Sequence, residues 1–311
     1  MNQTFARAEQ YIYLNARPLD LARWQYHFEN GSSGQIVRAL KFYQNGDGGF
    51  GHALEADSWN PGSSPIQTWA ATEILRECGV TERDHPVIQG ILNYLGSGKD
   101  LDGGFWRGSV PGNNDYPHAP WWHYNEENDS RGSYNPAACL AGFIVRYARR
   151  DSSLYRTGCL IARAAFETCI ADENETDMHT ITCYIRLLQY LKEAGEENLI
   201  NIPMLQENLI RKVEKTITKD ISLWKTSYIC RPSQYFHNRE SIFFSENREI
   251  AEYECDYIQE TQLDDGSWEI PWSWDDYPDE WAVSRNWWKC DRIISNIRYL
   301  KGMGKLTIKH E

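Results

Sequence analysis

A short turn signature recurs along the chain and constrains the fold more than any other feature. It reads QNGDGGF at 44–50, KDLDGGFW at 99–106 and QLDDGSW at 262–268. In each, Gln or Lys stands three residues before an Asp, which is followed by Gly, then Gly or Ser, then Phe or Trp. The copies start 55 and then 163 residues apart. The second spacing is about three times the first, leaving room for two degenerate copies, of which TKDISLW at 218–224 reads as one.

Each copy closes a segment with helical periodicity. GQIVRALKFYQ, HPVIQGILNYL and REIAEYECDYIQE place apolar side chains three and four residues apart, and the turn glycines then stop the helix. A second helix follows each stop. In SSPIQTWAATEILRE, Ser64 reads as an N-cap, Pro65 as the first helical position and Gln67 as the partner closing a capping box. YNPAACLAGFIVRYA repeats the scheme with Asn135 and Pro136. The pattern predicts helix pairs at 3–14 with 19–29, 34–44 with 64–78, 85–96 with 134–149, 152–170 with 176–193, 203–218 with a poorly defined partner near 225–245, and 247–261 with 285–301. No strand alternation competes. The expected fold is therefore all-α, an (α/α)6 toroid or barrel of about six helical hairpins forming one domain over 1–311. Small residues in the second helices (Ala70, Ala71, Ala137, Ala138, Ala141, Gly142) suit an inner ring where helices pack closely.

Composition narrows the function. With 41% hydrophobic and 24% charged residues in 311, the chain can bury a large core. A net charge of -12 argues against nucleic-acid binding and against an anionic membrane surface. No run is long and apolar enough for a membrane span, and the N-terminus lacks a secretory core, so a cytoplasmic location is expected. The eight cysteines form no Cys-x-x-Cys pair and read as buried free thiols. Nine of the thirteen tryptophans fall between 106 and 122 or between 268 and 288, which directs attention to those stretches.

Gln-x-x-x-Gly-x-(Trp or Phe), at Gln44/Gly48/Phe50 and Gln262/Gly266/Trp268, resembles the repeat of terpene cyclases of the squalene-hopene type. The Gly-Gly-Phe-Gly loop is similar to those of protein prenyltransferase β subunits. The resemblance implies an α/α toroid and a hydrophobic, isoprenoid-type ligand in a central barrel pocket. Two departures stand beside it. WNPGSSPIQ, where those cyclases carry an Asp-x-Asp-Asp acid, has no carboxylate, and the Asp-x-Cys of the prenyltransferase zinc site does not occur. His179 and Cys183, one turn apart with Asp177 before them, are the nearest approach to a metal set, and two ligands do not make a site.

In such a ring, the loops entering the second helices converge on one rim. They carry His52, Glu55, Asp57, Asp115, His118, His123, Asp177, His179, Asp275, Asp276, Asp279 and Glu280. Two are long, at 107–133 and 269–284, and NNDYPHAPWWHY within the first reads as a lid or pocket wall. The candidate catalytic acids are Glu55, Asp57, Asp275 and Asp276, with burial expected to raise the pKa of an acid such as Asp57 or Asp276. The candidate binding residues are His52, Trp59, His118, Trp121, Trp122, His123, His179, Trp272, Trp274 and Arg285, whose indole faces suit carbocations and whose cation suits an anion. Arg285, Lys289 and Arg292 share one face of the final helix, either around an anionic head or as a solvated outer face. A carbohydrate-active barrel enzyme using a Glu/Asp pair and Trp platforms is the second reading, and a non-catalytic binding scaffold the third. No cofactor is required by the pattern, with Mg or Zn left open. The expected partner is a small molecule, and the oligomeric state is open. Asp47, Asp102 and Asp265 precede turn glycines and read as structural, as do His27 and His85.

Overall fold

The repeated turn is built the same way at 44–50 and at 262–268. In the computed structural model, which describes residues 3–126 and 133–307, Gly48 and Gly266 both have φ +91°, a conformation open in practice only to glycine. Asp47 Oδ1 accepts from the Gly49 amide at 3.0 Å, and Asp265 Oδ1 from the Ser267 amide at 2.9 Å. Both aspartates thus do turn work, as the sequence suggests. Gln44 Nε2 donates to the Gly48 carbonyl at 2.9 Å and the Val87 carbonyl at 3.3 Å. Gln262 Nε2 donates to the Gly266 carbonyl and the Thr4 carbonyl, both at 2.9 Å. The glutamine clamps its own turn and grips the first turn of another helix. A side chain on the glycine would prevent that approach, because a Cβ at Gly48 or Gly266 would sit 2.1 Å from the Gly90 or Arg7 carbonyl oxygen.

The other two copies differ. KDLDGGFW forms a two-stranded antiparallel hairpin, β1 Leu101–Asp102 with β2 Phe105–Trp106, turning through Gly103 and Gly104 at φ +56° and +97°. Consecutive left-handed glycines favour a tight hairpin, and Lys99 lacks the amide with which Gln clamps the turn. TKDISLW runs into a 3-10 turn, Ile221–Lys225, where Asp220 accepts from the Ser222 amide. It is not a copy of the turn.

The described residues are mostly helical: α1 Gln3–Asn15, α2 Pro18–Phe28, α3 Ser33–Leu40, α4 Pro65–Glu77, α5 Pro86–Ser97, α6 Ala137–Tyr147, α7 Ser153–Ala171, α8 Met178–Ala194, α9 Ile202–Thr216, α10 Arg248–Glu260 and α11 Pro278–Gly302. The expected helical segments are present with two exceptions. The last helix begins at Pro278 rather than at 285, so the final part of the loop expected at 269–284 is helical. The partner expected near 225–245 is absent as an α-helix; Pro232–Gln234 and Ser245–Asn247 are single 3-10 turns. Ser64 caps α4, its Oγ accepting from the Gln67 amide, and Pro65 opens the helix as anticipated. The Gln67 side chain, however, does not close a capping box. It accepts from the Leu54 amide at 2.9 Å and donates to the Asn60 carbonyl at 3.0 Å, bracing the loop before the helix.

The chain divides into two compact units, Leu40–Lys212 and Met1–Ala39 with Val213–Glu311. In the first, α6 packs against α4, α5, α7 and α8 and is buried along its length apart from Arg146. Its small residues permit that: a Cβ on Gly142 would lie 3.1 Å from the Tyr190 side chain. In the second, α1 packs on α2 and α11, and the rings of Phe5, Trp24 and Phe28 pack together in its core, Phe5 stacked on Trp24 and edge-on to Phe28. All eight cysteines are free, seven of them buried. No helix among the described residues is long and apolar enough to cross a membrane.

Candidate functional site

The expected site residues separate between the two units. His52, Glu55, Asp57, Trp59, His118, Trp121, Trp122, His123 and His179 belong to Leu40–Lys212, and Trp272, Trp274, Asp275, Asp276 and Arg285 to the other unit.

In the first unit, the loop before α4 is strapped to the segment 113–123. Trp59 N donates to the Pro117 carbonyl at 3.0 Å and Ala119 N to the Asp57 carbonyl at 2.8 Å. Asn60 Nδ2 donates to Asn113 Oδ1, and Asn113 Nδ2 to the Trp122 carbonyl. Glu55 and Asp57 are therefore inside the strap, 8% and 2% exposed, with Glu55 Oε2 accepting from the Asp57 amide. His118 is buried, its Nε2 3.1 Å from His123 Nδ1, while His123 and His52 are exposed. His52 contacts Asn45 Oδ1 at 2.9 Å. Trp121 is 47% exposed and Trp59 and Trp122 half-buried, and the NNDYPHAPWWHY segment lies against this loop through those hydrogen bonds. Part of the expected long loop, 127–132, lies outside the described residues. Asp115 is exposed. Asp177 is an N-cap, its Oδ2 accepting from Thr180 N at 2.8 Å, and Cys183 donates to Asn135 Oδ1, so neither is arranged with half-buried His179 as a ligand set. No group of three or more His, Cys, Asp or Glu suited to a metal occurs among the described residues.

The second unit contains an open groove of about 340 Å³, lined by Ile270, Pro271, Trp272, Ser273, Trp281 and Arg285. The Pro-bounded stretch before α11 places Trp272 against the helix: its ring meets Trp288 edge-on at 5.3 Å and Tyr228 at 5.5 Å. Trp274 is buried and packs on Trp281 at 5.5 Å, so it supports the wall. Asp275, Asp276 and Asp279 are exposed and Glu280 half-buried. The burial expected at Asp276 is thus absent, because the turn into α11 points outward; Tyr277 adopts φ +57° there.

Trp281, Arg285, Trp288 and Arg292 are spaced four, three and four residues apart on α11, which puts them on one face. Of the three cations expected on this helix, Arg285 pairs with Glu269 at 2.7 Å and Lys289 with Asp265 at 3.3 Å. Arg292 makes no hydrogen bond or ion pair among the described residues, and its charge is penalised. Burial and the neighbouring Arg231 bring its pKa down to about 10, against the pull of Asp291, Tyr228 and Glu254. Arg231 lies over the Tyr257 and Trp224 rings at 5.7 and 6.0 Å, with its Nε 3.8 Å from Glu254 Oε1. Glu254 is fully buried and accepts from Ser233 N and Oγ. Burial raises its pKa, opposed by Arg231 and Ser233.

Sequence reasoning missed Arg231 and Glu254. A signal existed for the second: within REIAEYECDYIQE, Glu254 falls on the same helical face as Ala251, Cys255 and Ile258, where a carboxylate must have a partner. Nothing local marks Arg231, since its role arises from the packing of 232–234 against α10 and α11.

The described residues are mostly helical, with an aromatic groove beside α11 whose one lining cation, Arg285, is paired with Glu269. No protein-family model matches the chain, and no similarity to a curated protein or to a solved structure was found.

Proposed function

We propose that the protein is an α/α toroid similar in design to terpene cyclases and prenyltransferases, and that it binds a hydrophobic, isoprenoid-like small molecule. The observation that carries the ligand reading is the groove at Trp272 and Trp281. Its lining has two indoles, an isoleucine, a proline and a serine, with a single cation and no carboxylate. Aromatic faces offer large apolar contact at small entropic cost, and they attract cationic carbon centres. The ring architecture is supported by the two intact turns. The turn at 44–50 grips α5, the first helix of the third pair, and the turn at 262–268 grips α1, the first helix of the first pair. A last repeat that holds the first helix is the bonding a closed ring requires.

A carbohydrate-active reading has one observation in its favour, the exposure of Asp275 and Asp276 in the stretch that supplies Trp272. The groove lining has no Glu/Asp pair, so this reading ranks second.

Titrating tryptophan fluorescence with geraniol and with maltohexaose distinguishes the two. Saturable quenching by geraniol, weakened about tenfold or more in Trp272→Ala, is the expected result. Binding of maltohexaose without geraniol binding would replace the isoprenoid reading by the carbohydrate one.

A further inference from the structure

The cations near the groove are not equivalent. Arg17, Asp20, Arg23 and Asp291 form a balanced set: Arg17 Nε is 2.7 Å from Asp20 Oδ2, and Arg23 Nη1 is 2.7 Å from Asp291 Oδ1. The acid next to Arg292 in sequence is therefore already committed. Glu254 is committed to Arg231 and Ser233. Of the charged groups around Arg292, midway along α11, Arg231 and Glu254 remain, and with Arg292 they carry one net positive unit when Glu254 is ionised. Arg292 is half-buried, one turn beyond Trp288 on the helix face that begins at the groove.

A half-buried cation without a partner is costly. The same arrangement favours an anion that brings one negative charge and two acceptor oxygens, because guanidinium presents paired donors in a planar fork. A diphosphate matches it poorly. Its first charge would use the single uncompensated positive unit, leaving the second and third with none and in the neighbourhood of buried Glu254. Building on the groove reading above, we infer that the ligand is an apolar carboxylic acid: its carboxylate is held by Arg292 with Arg231 beside it, and its hydrocarbon lies along Trp288 toward Trp272 and Trp281. Arg292 is seven residues beyond Arg285, about 10 Å along the helix, so a chain of about ten carbons reaches from one to the other.

The test compares three molecules with the same hydrocarbon: geranic acid, geraniol and geranyl diphosphate. Each is titrated calorimetrically into the full chain and into Arg292→Gln and Arg292→Lys. Geranate should bind at least tenfold more tightly than geraniol and more tightly than the diphosphate. Arg292→Gln should remove the preference for geranate, and an unchanged far-UV circular dichroism spectrum reports that the variant is folded. Arg292→Lys should restore part of the preference. A tighter diphosphate, or undiminished geranate binding in Arg292→Gln, would overturn the carboxylate assignment while the groove reading stood. If none of the three bound the wild-type chain, the groove reading would fall and this inference with it.

Discussion

Gly48→Ala and Gly103→Ala provide a controlled comparison, since both glycines have positive φ and both belong to the same unit. At Gly103, φ is +56° and a Cβ would meet nothing within 4 Å. The left-handed region costs an L-residue about 1–2 kcal/mol, so Gly103→Ala should lose about that much. At Gly48, φ is +91° and the added Cβ would sit 2.1 Å from the Gly90 oxygen, with backbone carbon and Cα of Gly90 at 2.5 and 2.8 Å. The contact is with backbone, so it cannot be relieved by a rotamer change. The turn must back away from α5 by about 1 Å, which breaks the Gln44 bond to Val87 and loosens the one to Gly48. Backbone strain of about 1–3 kcal/mol and two hydrogen bonds at about 1 kcal/mol each put the loss near 3–5 kcal/mol. Urea denaturation followed by far-UV circular dichroism reads this as a shift in midpoint at unchanged slope. Equal losses in the two variants would refute the claim that the turn is defined by close approach to α5.

Three further outcomes follow from the same geometry. Asp177→Ala should cost about 1 kcal/mol in thermal or urea unfolding, because the α8 cap is lost, and Asp177→Asn should retain most of it. Arg186 donates to Glu73 through Nε at 2.8 Å, and their side chains are only 20% and 22% exposed; burial opposes the Arg186 charge, but Glu73 raises its pKa above the ordinary value. Arg186→Met alone should therefore destabilise by about 2–4 kcal/mol, and adding Glu73→Gln should recover part of that loss, since the stranded carboxylate is removed. Burial raises the Glu254 carboxyl above its ordinary 4.5, with Arg231 and Ser233 opposing. An acid that is weaker when folded binds its proton more tightly in the native state, so its contribution is fully present below the unfolded pKa and is lost as pH rises through the native one. Glu254→Gln lacks this titration. Its stability relative to wild type should improve as pH is raised from about 4 to about 7, and a pH-independent difference would contradict the assignment.

The helices and the intact turns were legible because their determinants are local. Ser64 and Pro65 start α4, glycine at Gly48 and Gly266 permits φ +91°, and Asp47 and Asp265 bind the amides two residues on. The failed repeat copies are local too in their cause, since Lys99 and the sequence TKDISLW lack the glutamine clamp or the glycine that the turn needs. Other outcomes depend on partners distant in the chain. Gln67 looked like a capping residue but braces Leu54 and Asn60. Asp275 and Asp276, equal to Asp57 as acids in the sequence, are exposed where Asp57 is buried, because one turn points outward and the other loop is strapped under 113–123. Arg285, Lys289 and Arg292 read as one cationic stripe, and only packing distinguishes them: Glu269 and Asp265 neutralise the first two, while the carboxylates around Arg292 are held by Arg23, Arg231 and Ser233. Sequence by itself determined which segments are helical and how the turn is made, since backbone preference and near-neighbour hydrogen bonds act within a few residues. Tertiary structure alone decided which charges are compensated, because compensation depends on proximity in space between residues tens or hundreds of positions apart.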